Sequence, residues 1–157
     1  MRVKIVLLVV VVVSVFVFVF NSPLEGSTPT TTVVGGRDVV HLKIGNGTFN
    51  VRVAETQTER ARGLGGVRAL ATGEGMLFEF PTNAPHAIWM KNMLIPIDIV
   101  WLSDALSVID LKENVSPDSF PQIFTPKSPA RFVVELGAGS AKAFHINEGS
   151  PAEIFAE

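Results

Sequence analysis

The stretch HAIWMKNMLIPIDIVWL, residues 86–102, decides the fold because its last six residues form a strand with two apolar faces. Successive side chains of a strand point to opposite sides, so Ile97, Ile99 and Trp101 share one face. Asp98 lies among apolar residues on the other. A strand that is apolar on both faces is predicted to be central in its sheet. Asp98 is then buried, and a buried carboxylate needs partners because desolvating an unpaired charge is costly.

Two cations are the predicted partners of Asp98. We expect the carboxylate to be ionised and paired, with Arg62 of a neighbouring short helix as the first partner and Lys91 as the second. The alternative is a functional carboxylate that acts as a base or binds a ligand. Lys91 and Asn92 end a strand, where Asn favours local turn hydrogen bonds. Their functional interpretation is the polar floor of a pocket beside Trp89.

Short alternating segments around this stretch predict a mainly β fold. Residues 39–54, VVHLKIGNGTFNVRVA, predict a hairpin, because Asn46-Gly47 accepts positive φ at a tight turn. Asn46-Gly47-Thr48 is also an acceptor sequence for glycosylation. Further strands are predicted over residues 75–80 (ended by Pro81), 86–91, 97–102, 107–111, 131–136 and 152–155. The fold class is therefore a compact antiparallel sandwich or barrel.

Helix is predicted in two short pieces. In ETQTERARGL, residues 55–64, Thr56 and Glu59 have the spacing of a capping box, and Gly63 ends the helix. Residues 139–144 predict one further helical turn. Such short helices need the sheet for support.

The N-terminal part predicts a transmembrane helix and a tether. Arg2 and Lys4 precede an apolar run over residues 5–20 and favour an N-terminus inside the cell. FVFNSP, residues 18–23, lacks a small-x-small cleavage site, so residues 1–20 are predicted to anchor the chain in the membrane. The alternative is that they form a cleaved signal peptide, which would give a secreted domain. Residues 21–37 are rich in Ser, Thr, Pro and Gly and predict a flexible tether. Residues 38–157 are predicted to form a single β-rich domain.

Composition and motifs exclude several kinds of chemistry. The net charge is −2, which disfavours nucleic acid as a partner, and the absence of cysteine excludes disulfides and thiol catalysis. There is no Gly-x-Ser-x-Gly elbow and no phosphate-binding glycine loop. The histidines show no metal-ligand spacing, so no metal and no cofactor is predicted. Asp98, Lys91 and Glu74 remain as candidate catalytic residues, with Glu74 and Asp98 as a glycosidase-type pair.

A copper site is a further interpretation. Thioether and imidazole ligands suit copper, and Met76, Met90, Met93 and His86 supply them. The simpler interpretation is that the methionines fill gaps in the core.

Four segments together resemble a known family: TERARGL (58–64), GEGMLFEF (73–80), WMKNMLIPIDIVWL (89–102) and PARFVVEL (129–136). The chain resembles the uncharacterised family catalogued as domain of unknown function 192, also called uncharacterised protein family 0127, over most of residues 38–155. The resemblance implies a compact, mainly β fold, found in prokaryotes and often behind a signal peptide or membrane anchor. It implies no established activity. The chain departs from the family pattern at Gly65, Ile88 and Met93, and it retains Arg62, Gly75, Trp89, Lys91, Asn92, Pro96 and Asp98.

These observations predict a β domain outside the cytoplasm, held at the cell membrane through residues 3–20, that acts as a small-ligand-binding or structural module. Its ligand would be a small molecule or a carbohydrate. One alternative is a small hydrolase acting on envelope carbohydrate, and another is a tethered interaction domain without a ligand pocket. The polar cluster expected to bind ligand or support the fold comprises Arg62, Trp89, Lys91, Asn92 and Asp98.

Overall fold

The structure, a computed structural model, describes residues 39–155. Alternating apolar and polar residues in this part of the chain produce nine strands. The strands are β1 (Val40–Ile44), β2 (Gly47–Ala54), β3 (Glu74–Ala84), β4 (Ile88–Trp89), β5 (Ile97–Leu102), β6 (Val108–Val115), β7 (Ile123–Phe124), β8 (Ala130–Gly137) and β9 (Ala152–Phe155). The helices are α1 (Gln57–Arg62) and α2 (Ser140–Ala143), with a 3-10 turn at Pro117–Ser119.

Seven strands form one sheet in the order β6-β5-β8-β3-β2-β1-β9, and β4 pairs with β7 in a separate two-stranded sheet. The large sheet curls into a half-barrel. Its two outer strands approach each other where Val108 N–H donates to the Ser150 carbonyl (2.9 Å) and Ala152 N–H to the Leu106 carbonyl (2.7 Å). The mainly β prediction is confirmed. The expectation of a wholly antiparallel sheet was wrong in one place, because the connection through α1 makes β2 and β3 parallel.

Two apolar cores lie on opposite faces of the curled sheet. All seven strands contribute to the first core, which is therefore the enclosed one; its buried residues include Leu42, Ile44, Phe49, Val51, Val100, Leu102, Val134 and Leu136. The second core lies under the segments that follow α1 and β4; it includes Leu64, Met76, Phe78, Met93, Ile97, Ile99, Trp101 and Val133. Every residue of β5 is buried, as the central-strand prediction requires.

The β1–β2 hairpin is present, with its turn one residue earlier than predicted. The turn residues are Gly45 and Asn46, and the positive φ (55°) falls on Gly45 instead of Asn46 or Gly47. The reason is tertiary: the Phe144 carbonyl accepts from the Asn46 N–H at 2.7 Å and lies so close to Gly45 that a Cβ there would clash with it. Asn46 is exposed at the tip, and its glycosylation stays a prediction.

The capping box of α1 is confirmed. Thr56 Oγ1 accepts from the Glu59 N–H at 3.2 Å, and Glu59 Oε2 accepts from the Thr56 N–H at 2.9 Å. Gly63 ends the helix with φ 51°. This reciprocal pair satisfies N–H groups that a six-residue helix would otherwise leave without partners.

Other boundaries differ from the predictions. Strand β3 continues through Pro81 to Ala84, and Pro81 is tolerated because the register with β8 is interrupted between Glu79 and Ala84. Strand β4 is only two residues long because it pairs with the equally short β7 and not with the large sheet. Within residues 39–155 no helix is both long and apolar enough to cross a membrane. The predicted anchor (1–20) and tether (21–37) lie outside the described residues.

Replacing Gly75 should destabilise the sheet severely. Gly75 sits between β2 and β8, and a Cβ there would lie 2.5 Å from the Glu135 carbonyl oxygen and 2.8 Å from Leu136 Cδ2. Because the backbone must move, we expect Gly75→Ala to cost about 3 kcal/mol, measured as a lower melting temperature of the full chain. Gly137→Ala is the matched control, since the nearest atom to its Cβ is 4.0 Å away. Equal melting temperatures for the two variants would contradict this account.

Candidate functional site

Asp98 is fully buried, and backbone N–H groups surround its carboxylate. Oδ1 accepts from Asn114 N–H at 2.8 Å and from Gly139 N–H at 3.2 Å, while Oδ2 accepts from Ala141 N–H at 2.8 Å. The first donor lies near the end of β6, and the other two lie at the start of α2. Asp98 therefore joins three elements of the fold through hydrogen bonds to a charged acceptor, which are stronger than neutral ones.

The predicted partners of Asp98 were wrong. Among residues 39–155, no ion pair or hydrogen bond joins Asp98 to Arg62 or Lys91. The reason is the alternation of β5. Asp98 points into the enclosed core with Ala141. Leu64, which follows α1, and Met93, which follows β4, pack in the second core on the other face of the sheet.

Asp98 and Glu74 do not form a catalytic carboxylate pair. Asp98 has no exposed surface from which to reach a substrate. Glu74 is exposed at the start of β3, where its Oε2 accepts from the Ala71 N–H at 3.0 Å. Of the two pockets described within residues 39–155, one is lined by Lys91, and neither is lined by Asp98 or Glu74.

Three residues of the predicted polar cluster do meet. Arg62, Trp89 and Lys91 line a cavity of about 40 Å³ between the end of α1, strand β4 and strand β8. Asp98 and Asn92 are not among its lining residues. Asn92 instead occupies a turn with φ 61°, and its carbonyl accepts from the Gly66 N–H at 2.9 Å.

Local backbone hydrogen bonds hold the cavity walls together. Gly65 N–H donates to the Arg62 carbonyl at 3.0 Å, and the bond from Gly66 to Asn92 ties the segment after α1 to the segment after β4. The absence of a side chain at Gly65 also lets this residue lie close to the end of α1, because a Cβ there would lie 2.8 Å from the Arg62 carbonyl oxygen. Lys91 Nζ lies 5.4 Å from the centre of the Trp89 ring, within cation–π distance.

The cavity contains a buried acid that sequence reasoning missed. Glu135 lies in the middle of β8 between Ile99 and Met76 of the flanking strands and is only 4% exposed. Its Oε2 has no hydrogen-bond partner among residues 39–155. Burial raises the pKa of Glu135 to about 8, although a hydrogen bond from the Leu64 backbone opposes the shift. The sequence signal that could have identified Glu135 as buried is its position in RFVVEL. It follows Val133 by two residues, which places it on the same apolar face of the strand.

The residues of the copper interpretation are used in packing. Met76, Met90 and Met93 are buried in the second core. The ring of His86 stacks on Phe80 with centroids 3.5 Å apart, and its Nε2 lies 2.8 Å from the Thr82 carbonyl oxygen. Within residues 39–155 no three His, Asp or Glu side chains are grouped closely enough to hold a metal ion.

Substitution of Asp98 by Asn should destabilise the domain. At least one of the three N–H groups around the buried side chain would face an amide NH2 or lose its acceptor, so we expect a cost of about 3 kcal/mol. The measurement is the melting temperature, with the exposed Asp118→Asn as control. Unchanged stability in Asp98→Asn would contradict a structural role and return Asp98 to the candidates for chemistry.

Glu135 should make stability depend on pH in a defined direction. Its pKa is raised from 4.5 to about 8 on folding, so the folded state holds the proton more tightly than the unfolded state. Stability should therefore fall as pH rises from about 4.5 to about 8 and change no further above that range. We expect Glu135→Gln to be more stable than the native chain at pH 8, with a smaller difference at pH 5, while the exposed Glu74→Gln shows no such pattern. A difference that does not change with pH would refute the assignment.

Comparisons with known proteins agree with this fold. The sequence profile of the family DUF192, described as "Uncharacterized ACR", matches residues 40–154. A UPF0127 protein of Thermococcus kodakarensis is 31% identical over 101 residues, which are 63% of this chain and 60% of that protein. A UPF0127 protein of Thermococcus gammatolerans is 31% identical over 102 residues, which are 64% of this chain and 63% of that one. The chain thus matches about three fifths of the length of these relatives.

Two solved structures are similar. A Sinorhizobium meliloti protein suggested to be a transcription regulator has TM-score 0.71 and 27% identity, covering 74% of this chain and 93% of its own. A protein of unknown function from Novosphingobium aromaticivorans has TM-score 0.70 and 27% identity, covering 77% and 89%. With the family profile extending from β1 to β9, the chain belongs to the DUF192, or UPF0127, family.

Proposed function

We propose that this protein is a membrane-anchored domain, located outside the cytoplasm, that binds the acidic group of a small molecule in the cavity beside α1. The observation that carries the proposal is the buried Oε2 of Glu135, which has no partner and lies in a cavity whose walls carry Arg62 and Lys91. Buried polar atoms are nearly always satisfied, so an unpaired one in a cavity indicates an occupant.

The charges around the cavity favour an acidic group. Arg62 and Lys91 form no ion pair with a carboxylate of residues 39–155. Because its pKa is about 8, Glu135 is mostly protonated at neutral pH and offers an O–H donor where an ionised carboxylate would repel an anion. One neutral donor and two cations can together bind a carboxylate or phosphate oxygen.

The cavity volume limits how much of a ligand can enter. About 40 Å³ accommodates a single acidic group and not a whole sugar or nucleotide. The rest of the molecule would lie outside the cavity, where Trp89 is 45% exposed and offers an apolar ring surface. An acidic sugar has both an acidic group for the cavity and a remaining part that can lie against the Trp89 ring. The proposal therefore includes carbohydrate ligands.

The alternative functions have less support. A hydrolase based on Asp98, Lys91 and Glu74 has less support because Asp98 is fully buried and Glu74 lines neither of the two pockets described within residues 39–155. Regulation of transcription, suggested for the Sinorhizobium meliloti relative, would need a basic surface for nucleic acid, and the net charge of −2 does not favour one.

Binding can be tested with acetate, inorganic phosphate, glucuronate and glucose as probes at constant ionic strength. Trp89 and Trp101 are the only tryptophans, so the indole N–H signal of Trp89 can be followed by NMR while the buried Trp101 serves as reference. We expect an acidic probe to shift the Trp89 signal and glucose to leave it unchanged. Arg62→Gln should weaken binding about tenfold or more, because a charge-assisted hydrogen bond is lost.

The matched control is Arg68→Gln, which removes an exposed arginine in the segment after α1 that does not line the cavity. Binding should be unaffected in this variant. Absence of any shift with all three acidic probes, or equal loss in Arg62→Gln and Arg68→Gln, would overturn the proposed ligand site.

Anchoring is tested separately by fractionation of cells that express the full chain. Because the apolar run over residues 5–20 has no cleavage site after it, the protein should remain in the membrane fraction after a high-salt wash. Recovery of a soluble form that begins between residues 22 and 27 would show that the segment is a cleaved signal peptide.

A further inference from the structure

The two-stranded sheet of β4 and β7 has one buried and one exposed apolar face. Ile88 is buried, and its partner Phe124 packs against the second core. Trp89 and Ile123 are also direct partners and point the other way, where they are 45% and 58% exposed. Directly opposed residues of an antiparallel pair lie side by side, so Trp89 and Ile123 form a continuous apolar surface.

Further apolar side chains lie on the loops next to this pair. Leu94 follows β4 and Phe120 precedes β7, and both are exposed. Together Trp89, Leu94, Phe120 and Ile123 are four of the six large exposed apolar residues described, and they are called the apolar patch below. Single exposed apolar residues are normal, but a directly paired Trp89 and Ile123, with two further exposed apolar residues within five positions along the chain, indicates a contact surface.

The loop that carries β7 is fixed to the rest of the domain. The buried carboxylate of Asp110 accepts from the Lys127 N–H at 2.9 Å through Oδ2 and from the Leu111 N–H at 2.9 Å through Oδ1. This holds the loop after β7 against β6. The apolar patch is therefore presented on a supported segment.

Cations accompany the apolar patch. Lys91 Nζ lies over the Trp89 ring, and Arg62 lines the same cavity as Trp89. Neither is paired with a carboxylate of residues 39–155. Tryptophan with lysine or arginine beside it is the combination that settles at a membrane–water interface, where the ring enters the headgroup layer and the cation meets lipid phosphate.

The length and composition of the chain before β1 favour a lipid bilayer as the partner of the apolar patch. Under the proposed anchoring, residues 21–37 join the apolar run to the domain; they are rich in Ser, Thr, Pro and Gly, and a linker of that composition and length has a mean reach of about 20–25 Å. A domain held so close to a membrane meets its surface at high effective concentration, so a small patch is enough.

We propose that the apolar patch, with Lys91 beside it, is a docking surface for the headgroup layer of an anionic phospholipid bilayer. The proposal rests on the proposed anchoring, and it shares Trp89 and Lys91 with the proposed ligand site. Docking would place the mouth of the Glu135 cavity, which Trp89 and Lys91 also line, at the bilayer surface.

The test uses the full chain in vesicles of phosphatidylcholine with a minor share of phosphatidylglycerol, in which the phosphatidylcholine carries brominated acyl chains. Bromine quenches only tryptophan that enters the bilayer. Since Trp89 is exposed and Trp101 is buried, the quenched emission should come from Trp89 alone and disappear in Trp89→Phe. Ile123→Asn should lose most of the quenching, and Lys91→Gln should lose part of it, chiefly at low salt.

Phe155→Asn is the matched control, because Phe155 is another exposed apolar residue on a different strand, β9, and its loss should leave quenching unchanged. Flotation of the vesicles reports anchoring. If the chain floats with the vesicles, but Trp89 is quenched by aqueous acrylamide and not by bromine, the docking surface alone is overturned. Protection of Trp89 from both quenchers indicates a second copy of the chain on the patch and also overturns it. A chain that fails to float overturns the anchoring and, with it, the tethered contact.

Discussion

Three backbone N–H groups converge on the buried carboxylate of Asp98, and much of the domain is organised around this point. Strand β5 carries Asp98 and, among the elements of residues 39–155, is the one buried along its whole length; it contributes to both cores. The carboxylate ties it to the end of β6 and to the start of α2. The N–H of the buried Ala141 would otherwise have no acceptor, so the carboxylate of Asp98 stabilises the fold by satisfying backbone groups.

Glu135 presents the opposite case on the neighbouring strand. It is nearly as buried as Asp98, but one of its carboxylate oxygens has no partner, and its pKa is raised to about 8. A buried acid that is only partly satisfied costs stability, and a well-packed apolar residue would remove that cost. Such local violations of the rules of packing concentrate at functional sites, which is why the cavity with Glu135 and not the site of Asp98 carries our functional proposal.

The sequence predicted the elements better than it predicted their contacts. The capping box at Thr56 and Glu59, the two apolar faces of β5 and the β1–β2 hairpin all depend on residues close together in the chain, and each is present. The partner of Asp98 depends on which face of β5 receives α1, and alternation alone does not reveal that. The importance of Glu135 also depends on three-dimensional packing, because in sequence it is one glutamate after two valines.

The curl of the large sheet has a consequence for proteins crowded at a surface. An open seven-stranded sheet would present two outer strands whose free N–H and C=O groups can pair with another chain. Here residues 149–152 before and within β9 bond to residues 106–108 beside β6, so the two vulnerable margins partly cover each other. Under the proposed anchoring, copies concentrated in two dimensions would collide far more often than in solution. Sealing of these margins reduces the chance that such collisions lead to strand exchange and aggregation.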